Sequence, residues 1–439
     1  MPMLNMYRWL NLALLLGCLI GPAHAADLLQ VYRQALLHDA QFAAAQAQHR
    51  AGLERVEQGR AGLLPQLSLD AQNMWNQTQY QVATGDIEHR QQNRTYSIQL
   101  VQPVFRWQNW VQYQQAGQEA VLAVSRLNSA YQDLLLRVAE AYFEVLNAQD
   151  VLAAVRQLRA ADAEQLASAR KNFELGNVSV ADVHEAQASF DRASAQSIKA
   201  ESDFELARHA LTRIIGRWPG SLLGLRAGVA LGPPRPDNIE AWVAAAEQSS
   251  FEVQAQELLL DIARSEVRSR RAEHLPTLDL VASQNMQQRP NVGTERSEAS
   301  SIGLRLSIPL YGGGRPSSAV REAQALQAKT EAELEDARRA AALAVRQAWL
   351  GVLGGMAQVR ALEAAKVSAK SALDANRLGY KVGVRISIDV LEVQSKFAET
   401  LQQLSRARYD TLLAQLRLKA AVGDLDESDL REINALLGG

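Results

Sequence analysis

The chain is short of cysteine, of histidine in patterned spacing and of long apolar runs, and each shortage removes a class of function. Cys18 is the only cysteine in 439 residues, so no disulfide framework can hold the fold. The seven histidines are scattered, with no metal spacing such as HExxH. No local motif suggests a Ser/His/Asp set, and Tyr311–Arg315 (YGGGR) is not followed by the GKS/T of a phosphate loop; it reads as a strand-to-helix turn. Charge is balanced, with Lys+Arg 46 against Asp+Glu 48, which gives no basic footprint for nucleic acid. The sequence therefore reads as no enzyme, with no cofactor and no metal centre.

Its N-terminus is informative. Arg8 precedes an apolar run, Leu10–Ile20, too short to span a bilayer, and Ala23-His24-Ala25 supplies the small residues of a cleavage site. Residues 1–25 are expected to be a signal peptide, with mature protein from Ala26. The alternative is a lipid-attachment box at Leu15–Cys18, which would shorten the apolar core. Export without disulfides suits a bacterial periplasm or outer membrane. No later apolar run approaches 18 residues, so any route into a membrane is expected to be as β-strands.

What is present is one unit written twice. LLPQLSLDA (Leu63–Ala71) matches HLPTLDLVA (His274–Ala282), and VQPVF (Val101–Phe105) matches SIPLY (Ser307–Tyr311). GNVSVADVHEAQ (Gly176–Gln187) matches GVRISIDVLEVQ (Gly383–Gln394), and LTRIIG (Leu211–Gly216) matches LKAAVG (Leu418–Gly423). Four landmarks in one order at near-constant offset make an internal duplication. The expected units are a first repeat over 26–216, a Pro/Gly-rich linker over 217–238 and a second repeat over 239–439.

In each repeat, two segments alternate apolar and polar residues. Ile302, Leu304, Leu306 and Ile308 oppose Ser301, Gly303, Arg305 and Ser307; Tyr96, Ile98 and Leu100 oppose Thr95, Ser97 and Gln99. Period two predicts half-buried strands, here near 65–80, 95–105, 276–285 and 300–311. In an exported protein the pattern also fits barrel strands with lipid on one side and water on the other. Polar loops are expected over Tyr80–Arg94 and Asn285–Ser300. Phe105, Trp107, Trp110 and Tyr311 fit an interfacial girdle or core packing.

Between Phe105 and Asn172 there is no proline and one glycine, and Leu127, Tyr131, Leu134, Val138, Tyr142 and Leu146 fall three or four apart. Long helices are expected near 106–172 and 315–378, each on the order of 100 Å at 1.5 Å per residue, with shorter ones near 180–215 and 387–422. Four strands cannot close a barrel, and open edges within a membrane are forbidden. Three copies would give twelve strands, so a homotrimer is expected.

On these residues, together with DLLQVYRQAL, IPLYGGG and YKVGVRISIDVL, the chain resembles the TolC family of outer-membrane channel-tunnels over essentially its whole mature length. The resemblance implies a mixed α/β-barrel membrane protein, internally duplicated. Four β-strands per protomer complete a 12-stranded trimeric β-barrel, and long coiled-coil helices form a periplasmic α-helical barrel. It implies a bacterial outer-membrane location in contact with outer-membrane lipid. The implied partners are a periplasmic adaptor and an inner-membrane ABC or proton-driven transporter.

The two Gly segments resemble the family's turns at the periplasmic tip, with Gly176 and Gly383 as turn glycines. Asp389 and Glu392 match acidic residues that ring the family's constriction, with Glu392 departing from the family's Asp; the i, i+3 spacing places both on one helix face. Tyr380, Arg385 and Asp182 match residues that latch the family's entrance. Independently of the resemblance, Asp182 stands three residues after Ser179, the spacing of a capping box.

The unlipidated signal and the short tail after Gly423 lean toward an exit duct for type I protein secretion. The same duct could serve multidrug efflux. A periplasmic coiled-coil adaptor without a pore is the reading from another class.

Overall fold

The computed structural model describes residues 25–226, 228–229, 232–290 and 294–438; the expected signal peptide with Cys18 lies outside them, apart from Ala25. Among these are four strands and nine helices of eight residues or more. They are α1 (Leu28–His38), α2 (Ala40–Ala61), β1 (Gln66–Val82), β2 (Gly85–Phe105), α3 (Trp107–Glu174), α4 (Val180–Ile215), α5 (Ile239–Ser249), α6 (Phe251–Ala272), β3 (Thr277–Gln288), β4 (Arg296–Ser307), α7 (Arg315–Lys381), α8 (Ser387–Ala421) and α9 (Glu427–Asn434). The duplication is plain in this order: helices, two strands, a helix of 68 or 67 residues, a turn, then one of 36 or 35. Contacts divide the chain into two compact units. Among the described residues, one takes those up to Ala45, those within Asn128–Phe251 and those from Arg339 onward; the other takes those within Gln46–Leu127 and Glu252–Arg338.

The second unit holds an antiparallel sheet in the order β1-β2-β3-β4. Its register lines up the alternating residues of all four strands. Leu67, Leu100, Ala282 and Ile302 form one row, and Leu280 stands beside Leu304 in the next. Because side chains alternate at period two, this face carries most of the sheet's large apolar residues, interrupted by Gln102 beside Leu280 and Gln284 beside Ile98, while Ser68, Gln99, Ser283 and Ser301 share the other. Leu67, Leu69, Ile302, Leu304 and Leu306 are all more than 60% exposed, a band that water alone would not leave uncovered. Phe105, Trp107, Trp110 and Tyr311 are exposed as well, which rules out core packing within the chain.

The strands outrun the sequence expectation. Tyr80–Arg94, expected as a polar loop, is continuous pairing: Val82 faces Gly85, and Gln77, Asn76 and Asn73 face Arg90, Gln91 and Arg94. Asn285–Ser300 is likewise mostly strand, since β3 reaches Gln288 and β4 starts at Arg296. Apolar alternation fades there, but backbone pairing needs no apolar face, so a hydropathy pattern under-reads a polar hairpin. β4 stops at Ser307, two residues before Pro309, which has no N–H to donate.

Where β2 hands over to α3, Arg106 donates to both oxygens of Asp279 on β3, at 2.7 and 2.6 Å. Asp279 is 5% exposed, so its charge depends chiefly on that fork, with Arg305 of β4 opposite it adding a second positive charge.

The first unit carries the helical core. Trp242 and Val243 of α5 pack with Val345 and Trp349 of α7 and Leu418 of α8. One 18-residue window of α7 reaches a mean hydropathy of 1.2, enough by composition to cross a membrane. That departs from the sequence expectation, and the reason lies in its alanines. Val345, Trp349 and Val352 in α7 are buried in helix packing, whereas Leu343, Leu350 and Leu353 are exposed. Asp39, between α1 and α2, accepts from Phe42 N at 2.7 Å and from both terminal nitrogens of Arg137 at 3.0 Å. The Arg137 guanidinium holds the Asp39 carboxyl below its ordinary range. This contribution is present above pH ~4 and fades as acid protonates Asp39.

The Pro/Gly-rich join is tied down at several points. Ala26 N donates to Ser221 O at 2.8 Å, Leu223 N to Ala26 O at 3.0 Å and Arg226 N to Leu436 O at 3.1 Å. The Tyr142 hydroxyl lies 3.1 and 2.8 Å from the carbonyls of Ala26 and Leu223. Composition reads this segment as a tether, whereas backbone bonds tie it to Ala26 and Leu436, and Tyr142 of α3 bonds its Leu223 carbonyl.

Arg106→Ala would leave the buried Asp279 carboxylate without its fork, facing only the cross-strand charge of Arg305, at a cost of about 3 kcal/mol or somewhat less. Thermal unfolding should show a clear loss of stability, with part of it restored by adding Asp279→Asn. An unchanged midpoint in Arg106→Ala would show that the fork holds nothing.

Candidate gate at the helical turns

The candidate site lies where α3 turns into α4 and α7 into α8, all within the first unit. Both turns use a glycine in the left-handed region, Gly176 at φ 75° and Gly383 at φ 80°. Gly176 N donates to Phe173 O at 2.9 Å and Asn177 N to Asn172 O at 2.9 Å, closing the carbonyls at the end of α3. Gly383 N donates to Tyr380 O at 3.2 Å, and Val384 N and Arg385 N both reach Gly379 O, at 2.9 and 3.2 Å. A side chain at Gly176 or Gly383 would meet open space, so these positions demand glycine for φ rather than for room. Gly379 is the opposite case. A Cβ there would stand 2.8 Å from Cγ of Arg385, so its bareness lets the Arg385 stem lie across the helix end. Nothing in the spacing of the repeats marks Gly379, since the contact is set by a fold-back.

The two following helices start differently. Ser179 caps α4 in a capping box: its hydroxyl accepts from Asp182 N at 3.2 Å, and Asp182 accepts from Ser179 N and Oγ, each at 2.8 Å. The equivalent cap of α8 is Ile386, which makes no side-chain cap bond. Instead Arg385 reaches Asp389 at 3.5 Å, and Gln165 of α3 donates to Ser387 at 2.8 Å. One helix start is locked by its own residues; the other leans on a distant helix.

Asp389 and Glu392 lie on the face of α8 opposite Ser387, Val390, Leu391 and Gln394, which are buried. Each carboxylate has a basic neighbour one turn away, Arg385 for Asp389 and Lys396 for Glu392, the latter at 2.6 Å. Exposed pairs of this kind are worth about 0.3–0.5 kcal/mol and are screened by salt, so the acidic face is softened but still available to a cation. Tyr380 is half-buried on the last turn of α7. Among the described residues no hydrogen bond joins Asp182 to Tyr380 or Arg385. Within one chain Asp182 serves the cap, and Arg385 serves Asp389.

The two repeats are nevertheless joined. α3 and α8 meet along an antiparallel ladder: Glu140 with Arg417 at 3.0 Å, Phe143 stacked on Tyr409 at 5.6 Å, Asp150 accepting from Ser405 at 2.5 Å and Tyr409 at 3.0 Å, then Asp162 with Gln394 at 2.9 Å. Sequence reasoning missed this ladder. Its signal was present at Asp162, a carboxylate on the apolar stripe of Val155, Leu158, Leu166 and Ala169.

This arrangement, a duplicated hairpin sheet with a lipid-ready face joined to paired helical turns, defines a class of outer-membrane conduit. Residues 31–217 and 242–424 match the family of outer membrane efflux proteins, one stretch in each repeat, and the chain belongs to that family. It is 33% identical to the outer membrane protein TolC of Vibrio cholerae, over 96% of each chain. It is also 33% identical to the alkaline protease secretion protein AprF of Pseudomonas aeruginosa, covering 99% of this chain and 92% of that one. The Campylobacter jejuni CmeC outer membrane channel superposes with a TM-score of 0.80 over 93% of this chain and 89% of its own, at 15% identity. The protein is an outer-membrane export channel component and no enzyme.

Gly383→Asn should be tolerated far better than Gly383→Val, because Asn enters the left-handed region readily, whereas a β-branched residue pays about 1–2 kcal/mol or more. Hydrogen exchange across 376–390 would rise markedly in the Val variant and little in the Asn variant. Equal exchange in the two would mean that φ is not what selects glycine.

Proposed function

We propose that three copies of this chain form a closed duct through which an inner-membrane transporter and a periplasmic adaptor export protein. The observation that carries this reading is the sheet. Its apolar rows need lipid, and β1 and β4 each have a strand on one side only, so a single copy would leave a ladder of backbone groups unpaired in hydrocarbon. Each unsatisfied group there costs several kcal/mol, and pairing β4 of one copy with β1 of the next removes the cost. Protein as cargo is supported by the kinship with AprF, named for alkaline protease secretion. The family description, efflux, keeps drug export as the second reading.

Asp389 and Glu392 would form the constriction, their carboxylates repeated around the axis in a cation-favouring ring. Screening of that ring by salt predicts that selectivity falls as ionic strength rises. Asp182, Tyr380 and Arg385 would act as a latch in the assembled tip. Arg385 is 57% exposed with a long bond to Asp389, which leaves its guanidinium available to a second acceptor.

In a planar lipid bilayer the purified protein should give small cation-selective steps. Asp389→Ala with Glu392→Ala should abolish block by a divalent cation, and Arg385→Ser should raise unit conductance several-fold. Steps indifferent to both changes would place the constriction elsewhere. The absence of any steps, with the protein failing to run as a heat-sensitive outer-membrane oligomer, would favour a pore-less adaptor.

A further inference from the structure

Asp162 is 1% exposed, yet it is a carboxylate on the apolar stripe of a helix. One layer beside it is Leu158, Ala193 and Ala398; the other is Leu166, Ala169, Ala186 and Leu391. Between these layers its two oxygens are taken up by different helices. Ser189 of α4 donates at 2.9 Å, and Gln394 of α8 donates through Nε2 at 2.9 Å. Gln394 is itself buried, and its oxygen accepts from Arg377 of α7 at 2.9 Å. One short relay, Ser189–Asp162–Gln394–Arg377, thus joins all four helices about three to four turns from Gly176 and Gly383.

We infer that Asp162 positions the gate: the Asp162–Gln394 bond is the in-chain clamp that holds the α7–α8 hairpin against the α3–α4 hairpin, and it must part before the turns can move away from each other. The inference rests on the duct reading above. Below this bond toward the turns, among the described residues, the cross-repeat polar contact is Gln165 with Ser387, and the apolar contact is one cluster in which Leu391 packs with Leu166, Ala169 and Ala186. Parting the bond would strand Asp162 and Gln394 unless water enters, so the clamp has two positions, dry and closed or wet and open.

The clamp also senses pH. Burial raises the Asp162 carboxyl above its ordinary value, against the opposing pull of the Ser189 and Gln394 hydrogen bonds and the Arg192 charge. The charged groups facing it are few. Arg192 stands on α4, Arg377 reaches it only through Gln394, and Arg159 on its own helix lies over the Phe190 ring at 5.9 Å. The nearby charges of α8 are already paired, Glu392 with Lys396 and Asp389 with Arg385 of the preceding turn. A carboxyl whose value is raised when buried and ordinary when wet binds its proton more tightly in the closed form. Acid therefore favours closure, and rising pH favours opening, by at most about tenfold per pH unit for each clamp.

The test uses the full-length assembled protein at pH 5 to 8. Wild type should conduct more as pH rises. Asp162→Asn, which keeps an acceptor for Gln394 and a donor for Ser189 without the charge, should stay at the low-pH level throughout. Gln394→Ala, which removes the cross-repeat donor, should conduct several-fold more than wild type at pH 5. A wild-type pH profile in Asp162→Asn, or unchanged conductance in Gln394→Ala, would overturn the proposal. Hydrogen exchange of 387–398 in detergent, corrected for intrinsic base catalysis, supplies a readout independent of conduction. It should rise with pH in wild type and not in Asp162→Asn, and a pH-independent wild type would equally overturn the clamp. Exchange that follows this pattern in a protein with no conductance steps would retire the duct and keep the clamp.

Discussion

Everything in this chain answers to one constraint: a backbone N–H or C=O at a sheet edge must be paired wherever water cannot reach it. Four strands with an apolar face satisfy their own inner ladders and leave two edges open. A longer sheet folded on itself would close alone, but the described residues form two hairpins. The rest of its length goes into helices, which satisfy their own backbones anywhere. On the proposed reading, closure is delegated to other copies. The duplication follows the same economy, since one hairpin with its helix pair, written twice, doubles each copy's share of the wall.

The helices face a different demand. A helix of nearly seventy residues cannot be held by a single compact core, so its partners must recur along its length. The ladder between α3 and α8 does this in steps, with an ion pair, a stacked ring pair, an Asp150 node and then the Asp162 node. Polar steps between apolar layers also fix register. A seam of alanines and leucines alone could slide by a turn at little cost, whereas a displaced Asp162 would lose both donors while still buried.

Much of this was legible in the sequence because it is periodic. Strand alternation, the missing prolines and glycines, and the repeated Gly-Asp-Glu segments report local geometry, and the helix limits emerge within a few residues. Legibility ended where geometry is not local. The polar outer half of the β1–β2 hairpin has no hydropathy signature, because its order comes from the ladder. The Pro/Gly join read as a linker because composition cannot show that Tyr142 and Leu436 wait to bond it. At the turns, Gly176 and Gly383 were evident from the repeat, while Gly379 was not, since its role is to sit beneath Arg385. Asp182 carried two readings, cap and latch. The single chain displays the cap; the latch belongs to the proposal for the assembled tip.

That division bears on how such a tip could be both sealed and openable. A leucine pair in place of Asp162 and Gln394 would hold the helices at least as well, since buried polar links seldom add net stability over well-packed apolar ones. Such a seam would resist opening by its full buried area, and it would offer no intermediate in which water replaces the lost contact. A carboxylate bonded by two neutral donors behaves differently: water can take over both bonds as the helices part, and the ionised group is better solvated afterwards. The contacts nearest the turns are correspondingly spare, with an uncapped α8 start and a 3.5 Å pair at Arg385. Tightness therefore falls from the packed middle of α8 toward its N-terminus, and the residues at the entrance are free to move first. The buried carboxylate marks the depth at which that freedom ends.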